Sequence, residues 1–270
     1  MASSDAPVDI AHVALTVQDI DKVSAYYRDV IGLAPISSDG EVSRLGVGNR
    51  TLVELRRDKS ARPRNPRQAG LFHTAFLLPS HQALANWLGH IARTRTPIHG
   101  ASDHLVSEAI YLADPEGNGI EVYADRPRDS WGRDANGIAM ATEHLDLNAL
   151  LSEAEADWRG VPDDTVVGHV HLQVGSIPEA DAFYSGVLGM ELTTRYPGAS
   201  FFGSGGYHHH LATNIWSSRG AKALAAGETG LAEVVLRADK AERDAIAARA
   251  GSLSLFDPWN IPLTIIGKEA

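Results

Sequence analysis

The chain has 270 residues, 44% of them hydrophobic and 21% charged, which is enough apolar mass for one large globular domain or two ordinary ones without a disulfide or structural metal. It contains no cysteine, which excludes disulfides and thiolate metal sites and fits a reducing compartment such as the cytoplasm. A formal net charge of -10 disfavours non-specific binding to nucleic acid or anionic membranes, and no apolar run approaches the ~18 residues of a membrane span.

The polar stretch Met1 to Pro7 has no apolar core, so no signal peptide is expected. From Ala11 to Leu33, "AHVALTVQDIDKVSAYYRDVIGL" opens with alternating apolar residues, the period of a half-buried strand. It continues as an amphipathic helix of roughly ten residues that ends at Gly32, a good helix-terminating residue. Asp58 to Gln68, "DKSARPRNPRQ", reads as a basic, solvated loop. Gly70 to Ser80 is again strand-like, and the Asp-Pro and Gly-Asn pieces of "DPEGNGIEVY" (Asp114 to Tyr123) predict a hairpin turn leading into a strand. The polar connection from Arg126 to Thr165 holds one helix candidate, Asp146 to Trp158, with Leu147, Leu150 and Leu151 on one side.

Beyond it the chain repeats itself. "GHVHLQVGSIPEADAFYSGVLGM" (Gly168 to Met190) aligns with the first segment at one constant offset: His169 with His12, Val174 with Val17, Tyr184 with Tyr27, Gly189 with Gly32. More weakly, Gly230 to Lys240 parallels Gly70 to Ser80 with Glu233 opposite His73, and "DPWNIPLTII" parallels "DPEGNGIEVY". The chain therefore divides into four modules, about 9–56, 70–124, 167–216 and 229–267, each a strand, a helix and then several strands.

This repeat, with "GLFHTAFLLP", "DHLVSEAIYLADPEGNGIEVYADRPRDSW", "GHVHLQV" and "GGYHHHLATNIW", resembles the vicinal-oxygen-chelate superfamily. Within it, the chain is similar to the two-domain, CatE-like catechol 2,3-dioxygenases. The resemblance implies an α+β fold in which four βαβββ modules form two domains with curved mixed β-sheets: 9–126, a linker at 127–165 with a short helix, and 166–270. It also implies cups in which first and last strands of paired modules point side chains inward.

On that frame the first-strand positions are His12, His73, His169 and Glu233, and the last-strand positions are Glu54, Glu121, Asn214 and a residue near Leu263 or Thr264. Module four is poor in metal ligands, which leaves two cups. Modules one and two offer His12, Glu54, His73 and Glu121, a set like that of glyoxalase I. Modules two and three offer His73, Glu121 and His169, the two-histidine, one-carboxylate triad that suits non-heme Fe(II) and leaves positions open for substrate and oxygen. Ring-cleaving dioxygenases of this kind carry a His and a Tyr shortly before the metal-binding Glu, here His104 and Tyr111, and an acid–base His in a His-His-x-Leu-Ala-like strand, here His209. These favour modules two and three, although the His-only module follows the His/Tyr/Glu module here and precedes it in the better-known enzymes.

Strand alternation would put His208 and His210 on one face and His209 inward on the other. His171 shares a face with His169, and an apolar lining is expected from among Phe201, Phe202, Trp216 and Ile110. His81, His90, His99 and His144 read as surface residues. The resemblance thus implies a cytoplasmic, Fe(II)-dependent extradiol dioxygenase, with Mn(II) the alternative metal. Its metal would sit on His73, His169 and Glu121, with His209, Tyr111 and His104 as catalytic residues. Its partners would be a small aromatic diol and O2, with no nucleic acid or membrane partner, and a homo-oligomer is compatible. The alternatives are a glyoxalase-like isomerase or lyase using His12 and Glu54, and a metal-free small-molecule-binding protein.

Overall fold

The alternation that opens each module becomes its first strand. The computed structural model describes residues 5–224 and 226–268, so the first four residues of the polar N-terminal stretch lie outside the described residues. The first module is β1 (Val8–Val17), α1 (Ile20–Tyr26), β2 (Ala34–Ser38), β3 (Val42–Val47) and β4 (Arg50–Arg57); the second is β5 (Gly70–Leu78), α2 (His81–Arg93), β6 (Gly100–Asp103), β7 (Ser107–Ala113) and β8 (Gly119–Asp125). The connection contributes β9 (Arg133–Asp134), β10 (Gly137–Ile138) and α3 (Leu147–Ser152). The third module is β11 (Val166–Gln173), α4 (Ile177–Asp181), β12 (Glu191–Tyr196), β13 (Ala199–Gly203) and β14 (Leu211–Asn214); the fourth is β15 (Gly230–Ala238), α5 (Lys240–Ala250), β16 (Ser254–Phe256) and β17 (Pro262–Gly267).

The modules pair out of chain order. One sheet runs β16-β17-β15-β1-β4-β3-β2 and joins modules one and four; the other runs β6-β7-β8-β5-β11-β14-β13-β12-β10-β9 and joins modules two and three. The division into 9–126 and 166–270 follows the chain but not the sheets, because the first strands bond across it: β1 to β15 and β5 to β11, both antiparallel. Each first strand is also flanked by its own module's last strand in parallel, as in β5 with β8 and β11 with β14. Four strands in the order β8-β5-β11-β14 thus form the floor of one cup.

Period-two alternation sorts the floor's side chains. Phe76 and Leu78 of β5 and Val170 and Leu172 of β11 join the main hydrophobic core, while His73, His169 and His171 face the other way. In α2, Leu84, Trp87, Leu88 and Ile91 recur at helical spacing and are buried, each contributing about 1.5–3 kcal/mol by leaving water. Ser80 caps this helix by accepting from the Ala83 amide, and the Trp87 indole donates to the Val30 carbonyl, tying module two to module one. The helices of modules one and three differ from the expected regular form: each gives way to a π-helical turn, Tyr27–Ile31 and Ala182–Val187, before the left-handed Gly32 and Gly189. The helix expected over Asp146 to Trp158 is only the short α3, capped by Asp146. Among the described residues no helix is long and apolar enough to cross a membrane.

Candidate metal centre

Ala75 marks the centre of the cup. In the sheet it lies opposite Glu121 of β8 on one side and His169 of β11 on the other, and His73 precedes it by two residues on the same face. Three adjacent strands therefore deliver three donors to one point. His73 Nε2 lies 3.0 Å from Glu121 Oε2 and 3.3 Å from His169 Nε2, and the third side of the triangle, His169 Nε2 to Glu121 Oε2, is 3.4 Å. All three residues are buried.

Burial alone would raise the Glu121 carboxyl, but the imidazoles of His169 and His73 hold it well below the usual carboxylate range. Burial lowers the His169 imidazole to about 4, so it is neutral near pH 7. The site thus combines a buried carboxylate with a neutral imidazole, the protonation states that metal ligation requires. Among the described residues no Lys or Arg lines the cavity above it. A buried anion without a cation is costly, and a divalent ion removes that cost. The spacing also fits: donors about 2.1 Å from one ion at right angles lie roughly 3.0 Å apart. His169 Nδ1 is buried without a hydrogen-bond partner, so its ring is held by packing, between Tyr123 at 4.9 Å and His209 at 4.1 Å.

Two histidine systems flank the triangle. Tyr111 lies opposite Glu121 in the β7–β8 ladder. Its hydroxyl is 2.5 Å from His104 Nε2, and His104 Nδ1 is 2.6 Å from the Ala141 carbonyl. A carbonyl only accepts, so His104 Nδ1 carries a proton and donates to Ala141. Burial and the Glu121 charge push the Tyr111 phenol well above 10, keeping it protonated. On the other side His209 lines the cavity, with its Nδ1 2.8 Å from His208 Nδ1. Burial and the neighbouring His169, His208 and His171 hold the His209 imidazole well below 6.5, so it is neutral near pH 7. His171 also lines the cavity and is likewise held low by burial. Its Nε2 accepts from the Asn214 amide at 3.0 Å, so Asn214, expected as a last-strand position, supports a histidine.

Several expectations are corrected. His208–His210 precede β14 and lie outside any strand, so simple alternation does not place them; His208 and His209 sit side by side with facing Nδ1 atoms. Phe201 and Trp216 line the cavity, but Phe202 and Ile110 belong to the core. His12 and Glu54 lie in the other sheet, so His12, Glu54, His73 and Glu121 do not form one site. There Glu54 is held instead by Arg44 and Arg56 at 2.7 Å each. His81 is not a simple surface residue, for it bridges Glu108 at 2.5 Å and Glu153 at 3.0 Å. The loop at 58–68 is not wholly solvated: Arg64 reaches inward to donate to the Leu71 carbonyl and to Gln173.

The cavity of about 300 Å3 also recruits residues that no sequence pattern singles out. Phe72 and Tyr196 stand at its mouth with Trp216, and Met140, Ala141 and Thr142 of the connection form one wall. The connection reads as a polar linker; its Glu143–Asp103 bridge, the Ala141–His104 contact and the pairing of β10 with β12 bring it here.

Residues 9–122 and 166–252 match the family model described as Glyoxalase/Bleomycin resistance protein/Dioxygenase superfamily. A Catechol-2,3-dioxygenase of Bacillus subtilis (strain 168) is 39% identical over 237 residues, covering 86% of this chain and 83% of that protein. One solved structure from Bacillus subtilis aligns with a TM-score of 0.63 at 13% identity, over 97% of this chain and 86% of that one. Glyoxalase I from Zea mays aligns with a TM-score of 0.58 at 16% identity, over 96% of this chain and 92% of that one. At those identities the two structures show a shared fold.

Proposed function

Because the chain belongs to the glyoxalase, bleomycin resistance protein and dioxygenase superfamily, we propose that it is a cytoplasmic extradiol dioxygenase that opens a catechol-type ring with O2, with His73, Glu121 and His169 as ligands of Fe(II). Mn(II) suits the same donors. The observation that carries the reading is the buried His–Glu–His triangle at the head of an aromatic cavity, with a protonated phenol on one side and a neutral imidazole on the other. When bound, the metal supplies Lewis acidity to two adjacent ring hydroxyls and open positions for O2.

The chain's own residues do the rest. Phe201, Trp216 and Phe72 give the ring apolar faces and exclude water. Neutral His209 accepts a proton from a catechol hydroxyl and returns it as the ring opens; its depressed basicity suits it to begin as a base. Tyr111, its hydroxyl held between His104 and Glu121, stands ready to hydrogen-bond a substrate hydroxyl.

The test is stoichiometry. The iron-loaded protein is expected to consume catechol and O2 one to one, and His209→Gln to lower kcat about 10²-fold while retaining iron. Turnover without O2 uptake overturns the reading.

A further inference from the structure

The proton acceptor assigned above is the end of a chain of side chains that the reaction itself does not touch. Asp125 closes β8, on the same strand face as Glu121 and Tyr123. Its Oδ1 lies 2.9 Å from His208 Nε2, and His208 Nδ1 lies 2.8 Å from His209 Nδ1. His208 has no exposed surface. Its ring is wedged between Tyr207 at 4.1 Å and Trp131 at 5.1 Å, so it cannot turn away without disturbing the packing.

The order of these contacts favours one placement of the protons. A carboxylate only accepts, so His208 Nε2 carries the proton that points at Asp125. A His208 with its single proton on Nε2 has its lone pair on Nδ1, and opposite that lone pair the 2.8 Å contact makes His209 Nδ1 the donor. The lone pair of neutral His209 is left on Nε2, away from His208, on a ring that lines the cavity. An imidazole without such partners populates both tautomers, and the one protonated at Nε2 has no lone pair to receive a substrate proton.

We propose that Asp125 and His208 are positioning residues for ring cleavage, holding His209 in the tautomer whose Nε2 lone pair is free for the substrate. The proposal rests on the reading of His209 as the proton acceptor. Nothing in the arrangement requires either residue to touch substrate or metal: Asp125 acts through His208, and His208 acts through His209. An amide at position 125 can donate to His208 Nε2. That would reverse His208, make its Nδ1 a donor, and turn His209 to the tautomer with Nε2 blocked. The same geometric logic applies wherever a buried acid sets the tautomer of a catalytic histidine.

Two measurements test this. The first is 15N NMR of the histidine-labelled wild-type chain near neutral pH, with His209→Gln and His208→Gln for assignment. His209 is expected protonated at Nδ1 and bare at Nε2, with His208 the reverse; a His209 protonated at Nε2 overturns the proposal whatever the variants do. The second is steady-state kinetics of the iron-loaded protein with catechol. Asp125→Asn is expected to lower kcat at least about tenfold, with KM and bound iron within about twofold of wild type, and Asp125→Glu to recover part of the loss. If Asp125→Asn keeps wild-type kcat while His209→Gln is inactive, this inference fails and the proposed function stands. If His209→Gln is itself fully active, both the acceptor reading and the positioning role fail.

Discussion

Ala14 stands between Glu54 and Glu233 in one sheet as Ala75 stands between Glu121 and His169 in the other, each alanine with a histidine two residues before it, His12 and His73. The two cups are thus equivalent in register, but their centres differ in chemistry. In the cup of modules one and four the Arg56 guanidinium donates to Glu54 at 2.7 Å and to Glu233 at 2.6 Å. In the cup of modules two and three no Lys or Arg among the described residues pairs with Glu121, and the donors converge on one another.

Arg56 therefore serves its cup as an internal cation, and its removal has a pH signature. Burial raises the Glu54 and Glu233 carboxyls, but Arg56 and their other hydrogen-bond partners outweigh it and hold both below 4.5. Because these folded-state values lie below the unfolded ones, the stabilisation is present above about pH 4.5 and is lost as pH falls through the folded-state values. Arg56 is more than a third exposed, so its contribution is modest, about 1 kcal/mol. Arg56→Ala is expected to lower Tm by about 2–4 °C near pH 7, with the difference from wild type shrinking below pH 4 and bound iron unchanged. Thermal melts across pH 3 to 7 check this.

Gly168 is a spacing requirement of the candidate metal centre. A methyl at this position would overlap the Tyr123 hydroxyl and approach Leu77 Cβ to 2.9 Å, displacing the ring that packs on His169. Gly168→Ala is expected to cost about 1–3 kcal/mol by overpacking and to reduce bound iron, read by urea melts and metal analysis.

Tyr111 separates substrate handling from metal binding. Its hydroxyl is 2.5 Å from His104 Nε2 and also hydrogen-bonds with Glu121, but Tyr111 is not one of the three donors, so Tyr111→Phe is expected to retain iron while lowering kcat about 10²-fold. Loss of iron together with activity would place Tyr111 in the metal site instead.

How much of this was legible in the sequence varies residue by residue. The grouping of His73, Glu121 and His169 was legible because the repeat puts the two histidines at equivalent first-strand positions and the family resemblance implies that first and last strands point into one cup. The pairing of modules one with four was hidden, because hydrogen bonds between β1 and β15 join segments at opposite ends of the chain and no local pattern encodes that choice. The His208–His209 contact was hidden for a local reason: the triple reads as a strand, but β14 begins only at Leu211, and the preceding turn brings the Nδ1 atoms of adjacent imidazoles together. Ala141 contributes a backbone carbonyl, which composition cannot announce. Phe202 and Ile110 are apolar like Phe201 and Trp216, and only the sheet's face decides which line the cavity.

His73, Glu121 and His169 are proposed to hold one redox-active metal. Iron content per chain after anaerobic purification, wild type beside His169→Ala, tests it most directly. About one iron in wild type and less than about a tenth of that in the variant is the predicted result. A variant that keeps its full iron complement would contradict the account, because the metal would then lie away from the triangle that His169 completes.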